Sequence, residues 1–106
     1  MKALSATDVL LLIAFRHSII EPNVESAFER IQALAGRPLD PAAFHDALAS
    51  CQHDGLIREP VRLPEGSLQC HWHLELTPNG VETVRALLRE RGMTADQLLD
   101  HLRQHG

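Results

Sequence analysis

The sequence predicts a mainly α-helical domain with one small antiparallel β wing. Two observations predict this fold class. Helix starts are marked repeatedly by a capping residue that precedes a run with apolar residues at helical spacing. One stretch alone, about residues 56–76, alternates apolar and polar residues around a turn, as paired strands do. A chain of 106 residues has the usual size of one domain, so we expect a single domain over residues 1–106.

The first two helices are predicted on either side of a proline. Ser5 and Asp8 have the spacing of a capping box, and the apolar run "VLLLIAFRHSI" that follows predicts a central or interfacial helix. Pro22 disfavours helix at the residue before it, so a short extended link should come next. Asn23 is the predicted cap of the second helix, which ends at Gly36.

The remaining helices have equally clear boundaries. Asp40 followed by Pro41 predicts the start of a third helix, because a capping residue with proline at the first helical position favours helix there; Gly55 ends it. Thr77 precedes a fourth helix, and Thr94 begins a second capping box before a fifth. Residues 78–105 are therefore predicted as two C-terminal helices.

The stretch from about residue 56 to 76 predicts a hairpin with its turn at Pro64–Ser67. We expect Val61 opposite Cys70 and Glu59 opposite Trp72, since this register gives one apolar and one polar side. The inward side would consist of Ile57, Glu59, Val61, Leu63, Leu68, Cys70, Trp72 and Leu74.

The order helix, link, helix, helix, hairpin, helix, helix is that of a winged helix-turn-helix domain with an extra C-terminal helix. The second and third helices would form the helix-turn-helix, and the hairpin would be the wing. The terminal helices carry more apolar residues than a small core needs, which predicts a homodimer with a two-fold symmetric interface. The candidate interface residues are Leu87, Leu88, Leu98, Leu99 and Leu102.

Two segments, "PAAFHDALASCQHDGLIRE" and "HWHLELTPNGVETVRALL", resemble small PadR-type and MarR-type transcriptional regulators. The second contains the Leu-Thr-x-x-Gly helix start of these proteins at Leu76–Gly80, and the resemblance spans roughly residues 8–90. It implies a homodimer with the third helix in the DNA major groove and the wing on the backbone. The implied DNA contacts are Ala43, His45, Asp46, Ser50 and His53 in the helix and Arg58 and Arg62 in the wing.

The charges keep a second class of function open. The net charge is −4, and the third helix, Pro41–His53, contains Asp46 but no lysine or arginine, although cations carry most of the affinity for DNA. We therefore retain two hypotheses: a small dimeric DNA-binding transcriptional regulator, and a winged-helix protein–protein interaction module without DNA binding. In the second, the docking face would consist of Ala42, Ala43, Ala49 and Ser50.

The stretch Cys70-His71-Trp72-His73 suggests a metal site by composition, but strand geometry opposes it. Neighbouring side chains of a strand point to opposite sides, so Cys70 and Trp72 should face the core while His71 and His73 face outward. Two histidines are too few ligands for zinc, so no metal is expected unless a third ligand joins them from elsewhere. Both Cys51 and Cys70 are predicted to be buried free thiols, with a disulfide between them as the alternative.

No pattern of catalytic residues stands out. The sequence has no glycine-rich phosphate loop and no serine in an elbow-like turn, so we expect no enzymatic activity and no cofactor. The apolar run Val9–Phe15 is too short to span a bilayer, and no cleavage site follows it. We expect a cytoplasmic protein with DNA or a protein as its partner and no contact with the membrane.

Overall fold

The computed structural model describes residues 3–63 and 65–105. The elements of this part of the chain are α1 (Ala6–Arg16), β1 (Ile19–Glu21), α2 (Val24–Ala35), α3 (Pro41–His53), β2 (Val61–Arg62), β3 (His71–Leu74), α4 (Pro78–Arg91) and α5 (Ala95–His105). The three strands form one antiparallel sheet in the order β1-β3-β2. This is a winged helix-turn-helix fold with an additional C-terminal helix, and the predicted fold class is confirmed.

The helix starts lie where the capping residues predicted them. Ser5 Oγ accepts a hydrogen bond from the Asp8 N–H, and the Asp8 carboxylate accepts one from the Ser5 N–H, so the predicted capping box is present. Further side-chain caps are formed by Asn23, Asp40, Thr77 and Thr94. The apolar run of α1 is buried on all sides, because α2, α3, α4 and α5 pack around it. No helix among the described residues is both long and apolar enough to cross a membrane.

The segment between α1 and α2 is a strand and not a simple link. The apolar run predicted helix as far as Ile19, but α1 ends at Arg16. Ile19 and Ile20 pair with Leu74 and His73 of β3 instead. Pro22 prevents helix just beyond them, and β-branched isoleucines pack well in a pleated strand. The sheet therefore has three strands, with β3 in the middle.

The predicted wing register is wrong by two residues. Val61 lies opposite Trp72, not Cys70, and Ile57 forms a bridge with Leu76 rather than Leu74. The physical reason is the length of the connection, since β2 ends at Arg62 and β3 begins only at His71, farther along the chain than a four-residue turn allows. Of the predicted turn, Pro64 lies outside the described residues.

Only the base of the wing reaches the core. Ile57, Trp72 and Leu74 are buried, and the Trp72 ring lies 6.5 Å from that of Phe44 on α3. The outer half extends beyond the helices, so the predicted inward positions there are exposed, which corrects the prediction that Cys70 is buried. These exposed residues are Val61, Leu63, Leu68 and Cys70.

The C-terminal leucines pack inside the chain itself. Helix α5 folds back onto α1 and α2, and Arg16 of α1 forms an ion pair with Asp96 of α5. The predicted interface residues on α5 are therefore part of the core and cannot face a second subunit in this arrangement; they are Leu98, Leu99 and Leu102. On α4, Leu87 and Leu88 are half-buried and pack against the same core.

The Leu-Thr-x-x-Gly segment joins the end of α3 to the start of α4. The Thr77 N–H donates to the Leu56 carbonyl at 3.0 Å, and the Thr77 hydroxyl donates to the Gly55 carbonyl. The same hydroxyl oxygen accepts the Gly80 N–H at 3.1 Å. A Cβ on Gly80 would lie 2.1 Å from the Leu56 carbonyl oxygen, so only glycine fits without movement of the backbone.

We predict that Gly80→Ala lowers the free energy of unfolding by about 1–3 kcal/mol, because the added methyl forces α4 away from the Leu56 carbonyl. The matched control is Asn79→Ala, at the exposed neighbouring position, which should change the free energy of unfolding by less than about 0.5 kcal/mol. Denaturant titration followed by circular dichroism measures both values. Equal stability of the Gly80→Ala and wild-type proteins would contradict this account of the junction.

Candidate functional site

The exposed surface of α3 has two sides. Asp46, Ser50 and His53 are exposed and recur at helical spacing along the side away from the wing. His45 is also exposed, but it lies on the side towards the wing and packs edge-on against Phe44 at 5.8 Å between ring centroids. Four of the five helix positions implied by the resemblance are thus accessible, although they do not form one continuous row.

Ala43 does not belong to this surface. It is half-buried and lines a small space together with Leu10, Ile31 and Leu39, on the side of α3 that packs towards α1 and α2. This placement leaves Ala43 less accessible than the other four positions, and its groove-facing role stays a prediction. The burial of Phe44, Ala47 and Cys51 fixes which side of α3 faces the core. Ala43 lies next to that side, so it is half-buried.

The two wing arginines share one carboxylate. Arg58 Nε lies 3.3 Å from Glu75 Oε1, and Arg62 Nη1 lies 2.7 Å from Glu75 Oε2. The hydrogen bond from Arg62, with the positive charges of Arg62 and Arg58, lowers the pKa of the Glu75 carboxyl despite its desolvation. Because Glu75 stays ionised well into acidic pH, it partly neutralises both cations.

The Arg62 guanidinium is also held in position by other groups. Its Nε donates to the Glu59 carbonyl at 3.1 Å, and its Nη1 lies 3.4 Å from His73 Nδ1. Within the described residues, Arg62 Nη2 and His73 Nε2 are buried without a hydrogen-bond partner. The wing cations are thus committed to contacts within the sheet, which reduces what they can offer to an external phosphate.

The acidic charge is concentrated in the half of the chain that carries the helix-turn-helix and the wing. Residues 21–76 contain nine carboxylates and four arginines, a formal charge of −5, whereas the rest of the chain carries +1. The exposed face of α3 contributes Asp46, and Asp54 follows at the end of the helix. The segment that contains the helix-turn-helix and the wing therefore has a net charge of the same sign as DNA.

A groove runs between α3, the start of α2 and the wing, and we call it the α3–wing groove. Its volume is about 490 Å³. Its apolar lining consists of Val24, Leu48, Ala49, Val61, Cys70 and Trp72. Glu25 and Glu59 line it as well, and none of its described lining residues is lysine or arginine. No sequence pattern indicates this groove, because its lining comes from three elements that are separate along the chain.

The histidine pair of the wing does not form a metal site by itself. The His71 and His73 rings are nearly parallel, with 6.5 Å between their centroids. Across residues 3–63 and 65–105, no three His, Cys, Asp or Glu side chains are grouped so as to hold a metal ion. The pair would need a ligand from another molecule.

The two cysteines lie in different environments. Cys51 is fully buried on α3, and burial, with the nearby carboxylates Asp54 and Asp8, raises the pKa of its thiol to about 11. Cys70 is exposed on the wing, and both residues are free thiols.

The comparisons with known proteins bear on the fold. No protein-family profile and no curated protein sequence matches the chain. Among solved structures it is similar to the crystal structure of SSV1 F-93, with a TM-score of 0.59 and 17% sequence identity. The match covers 87% of this chain and 91% of that one. At this identity the likeness shows the fold alone.

We predict that iodoacetamide modifies Cys70 much faster than Cys51 in the native protein at about pH 8, because the Cys51 thiolate is both buried and rare at that pH. Peptide mass spectrometry after a short exposure measures the two rates. The Cys70→Ser variant should lose the fast reaction, and Cys51→Ser should keep it. Comparable rates at both thiols in the folded protein would contradict the placement of Cys51.

Proposed function

We propose that the chain is a winged-helix protein–protein interaction module that binds a protein partner through α3 and the wing. The observation that carries this proposal is the charge of −5 on the helix-turn-helix and wing, with no lysine or arginine on α3. A winged-helix fold positions this face for recognition, but the chemistry of the face decides what it recognises.

Charge is decisive here because DNA affinity depends on the neutralisation of phosphates by cations. Bidentate contacts to guanine in the major groove likewise favour arginine or lysine. On the described face, the cations of the wing are Arg58 and Arg62, and both are paired with Glu75. If α3 entered the major groove, the Asp46 carboxylate would be repelled by the negatively charged phosphates.

The same face has the features of a protein-binding surface. The α3–wing groove is mainly apolar, and the exposed leucines Leu63 and Leu68 extend its apolar character along the wing. Apolar contact at the centre with polar groups at the rim is the usual anatomy of a protein interface. Exposed apolar surface on this part of the chain would therefore become buried when a protein partner binds.

The second candidate is a small dimeric DNA-binding transcriptional regulator of the PadR or MarR type. Its supporting observation is the position of Arg58 and Arg62, whose side chains are 55% and 29% exposed on the wing, where the resemblance implies phosphate contacts. A phosphate could replace Glu75 as their partner. Its dimer would need a surface other than the buried leucines of α5.

We predict no saturable binding of wild-type protein to labelled duplex DNA at about 0.1 M salt, because the recognition face repels phosphate. Fluorescence anisotropy with random and self-promoter duplexes across a salt series measures this. Binding that weakens steeply with salt would contradict the proposal and support the regulator.

Two variants sharpen this test. If DNA is the ligand, Arg58→Ala/Arg62→Ala weakens binding, and Glu75→Gln strengthens it, because the neutral amide releases both guanidinium groups. If DNA is not the ligand, the anisotropy of the labelled duplex stays at its baseline at moderate salt with the wild-type protein and with both variants. A duplex affinity that ignores all three substitutions would place the contact elsewhere on the chain.

We further predict that a photo-crosslinking residue at position 53 on α3 yields a discrete crosslinked protein in extracts of the source cells, because this position is exposed at the end of α3, next to Gln52 of the α3–wing groove. The control is the same residue in place of exposed Ala86 on α4, where no such product is expected. Crosslinks at position 86 alone, or at neither position together with duplex binding, would overturn the proposal.

A further inference from the structure

We propose that the α3–wing groove binds a short segment of a partner protein that inserts one large apolar side chain beside Trp72 and carries lysine or arginine next to it. This inference rests on the proposed function and specifies the chemistry of the partner. Its occupant is an extended or helical peptide segment with a basic and apolar composition.

The interior of the groove suits an apolar side chain. Trp72 forms part of its wall, with Leu48 and Ala49 of α3 on one side and Val61 of β2 on the other. The volume of about 490 Å³ is far more than one water molecule or a small ion needs, and it matches a few side chains of a peptide. Val61 is 57% exposed, whereas Trp72 is already buried, so an apolar group placed here removes Val61 and its own surface from water and is stabilised by that burial.

The wall at Trp72 packs directly against the core of the domain. The Trp72 ring lies 6.5 Å from Phe44, and Phe44 in turn lies 4.7 Å from Phe28 of α2. This chain of aromatic contacts connects the wing, α3 and α2, the three elements that form the groove. A preformed site loses little conformational entropy on binding, so a short segment can gain measurable affinity.

The acidic side chains determine the charge of the occupant. Glu25 at the start of α2 and Glu59 before β2 both line the groove and are exposed. The nearby wing arginines are engaged with Glu75, and the described groove lining contains His45 and His71 but no lysine or arginine. A partner with lysine or arginine beside its apolar anchor therefore meets complementary charge, which favours association and excludes acidic segments.

The same charges disfavour a second copy of the chain in this groove. A two-fold symmetric contact through this face would bring Glu25 and Glu59 of each subunit towards like charges of the other. Both surfaces come from residues 21–76, whose formal charge is −5, so such a contact would be repulsive. Nucleic acid is disfavoured for the same reason.

The test begins with selection from a phage-displayed library of random twelve-residue peptides on the immobilised full chain. The expected consensus is one large apolar residue flanked by lysine or arginine. The selected peptide is then synthesised with a fluorescent label, together with a counterpart in which its cations are replaced by glutamate. Anisotropy should show at least about tenfold weaker binding of the counterpart, and the difference should shrink as salt rises.

Two pairs of variants locate the site. Ala49→Arg, on the groove wall, should weaken binding of the selected peptide at least about tenfold, while Ala86→Arg, exposed on α4, should leave it within about twofold. A second pair compares charge reversal inside and outside the groove at constant net charge. It sets Glu25→Lys/Glu59→Lys against Glu29→Lys/Glu90→Lys, and only the first double variant should lose binding. Circular dichroism melting confirms that each variant is folded.

Several outcomes would overturn the inference. One is a peptide consensus that is acidic or purely apolar. Another is an equal loss of peptide binding in both members of either pair of variants. A third is self-association in sedimentation experiments that the Ala49→Arg substitution abolishes, because a second copy of the chain would then occupy the groove. Saturable, salt-sensitive duplex binding that peptide competes away would assign the groove to a DNA-binding face. Failure of the inference is separable from failure of the proposed function. A crosslink at position 53 without a basic consensus leaves protein docking intact, whereas duplex binding without that crosslink removes both.

Discussion

The contact of Gly80 with the Leu56 carbonyl is the constraint on which the arrangement of the other elements depends. The absence of a Cβ at Gly80 lets the first turn of α4 lie directly on the chain that leaves α3. Thr77 completes the junction, since its backbone and hydroxyl hydrogen-bond to Leu56 and Gly55 while it caps α4. The wing begins just after Leu56 and ends just before Thr77, and these two residues are hydrogen-bonded to each other. The base of the wing therefore has a fixed position relative to α3.

That junction places the wing where it can form a groove. With the base fixed, Ile57 and Leu74 are drawn into the core, and Trp72 packs against Phe44. Farther out on the wing, Val61 and Cys70 remain accessible and line the groove together with Leu48 and Ala49 of α3. The groove is the space between this part of the wing and α3. Its shape follows from the packing of the fold, and its acidic rim follows from the residue types at its edge.

The fold of this protein and the charge of its exposed α3 and wing residues have separate origins. Asp46 lies on α3, and both wing arginines are paired with Glu75, so the winged-helix architecture here is not accompanied by a free cationic surface on these elements. Backbone architecture is set by apolar packing and capping, which tolerate many surface residues. Recognition is set by those surface residues, so one architecture can serve different ligands.

The sequence by itself determined the helices and their order, because Ser5, Asn23 and Asp40 act locally and a cap needs only its own first turn. The wing register was decided by tertiary structure. A shift of two residues leaves every side chain on the same side of a strand, so alternation cannot distinguish Trp72 from Cys70 as the partner of Val61. Whether the leucines of α5 are buried within their own chain also depends on the tertiary structure. Leu98 and Leu102 form the same amphipathic stripe whether they cover α1 of their own chain or a second subunit, and only the folded chain shows that they cover their own.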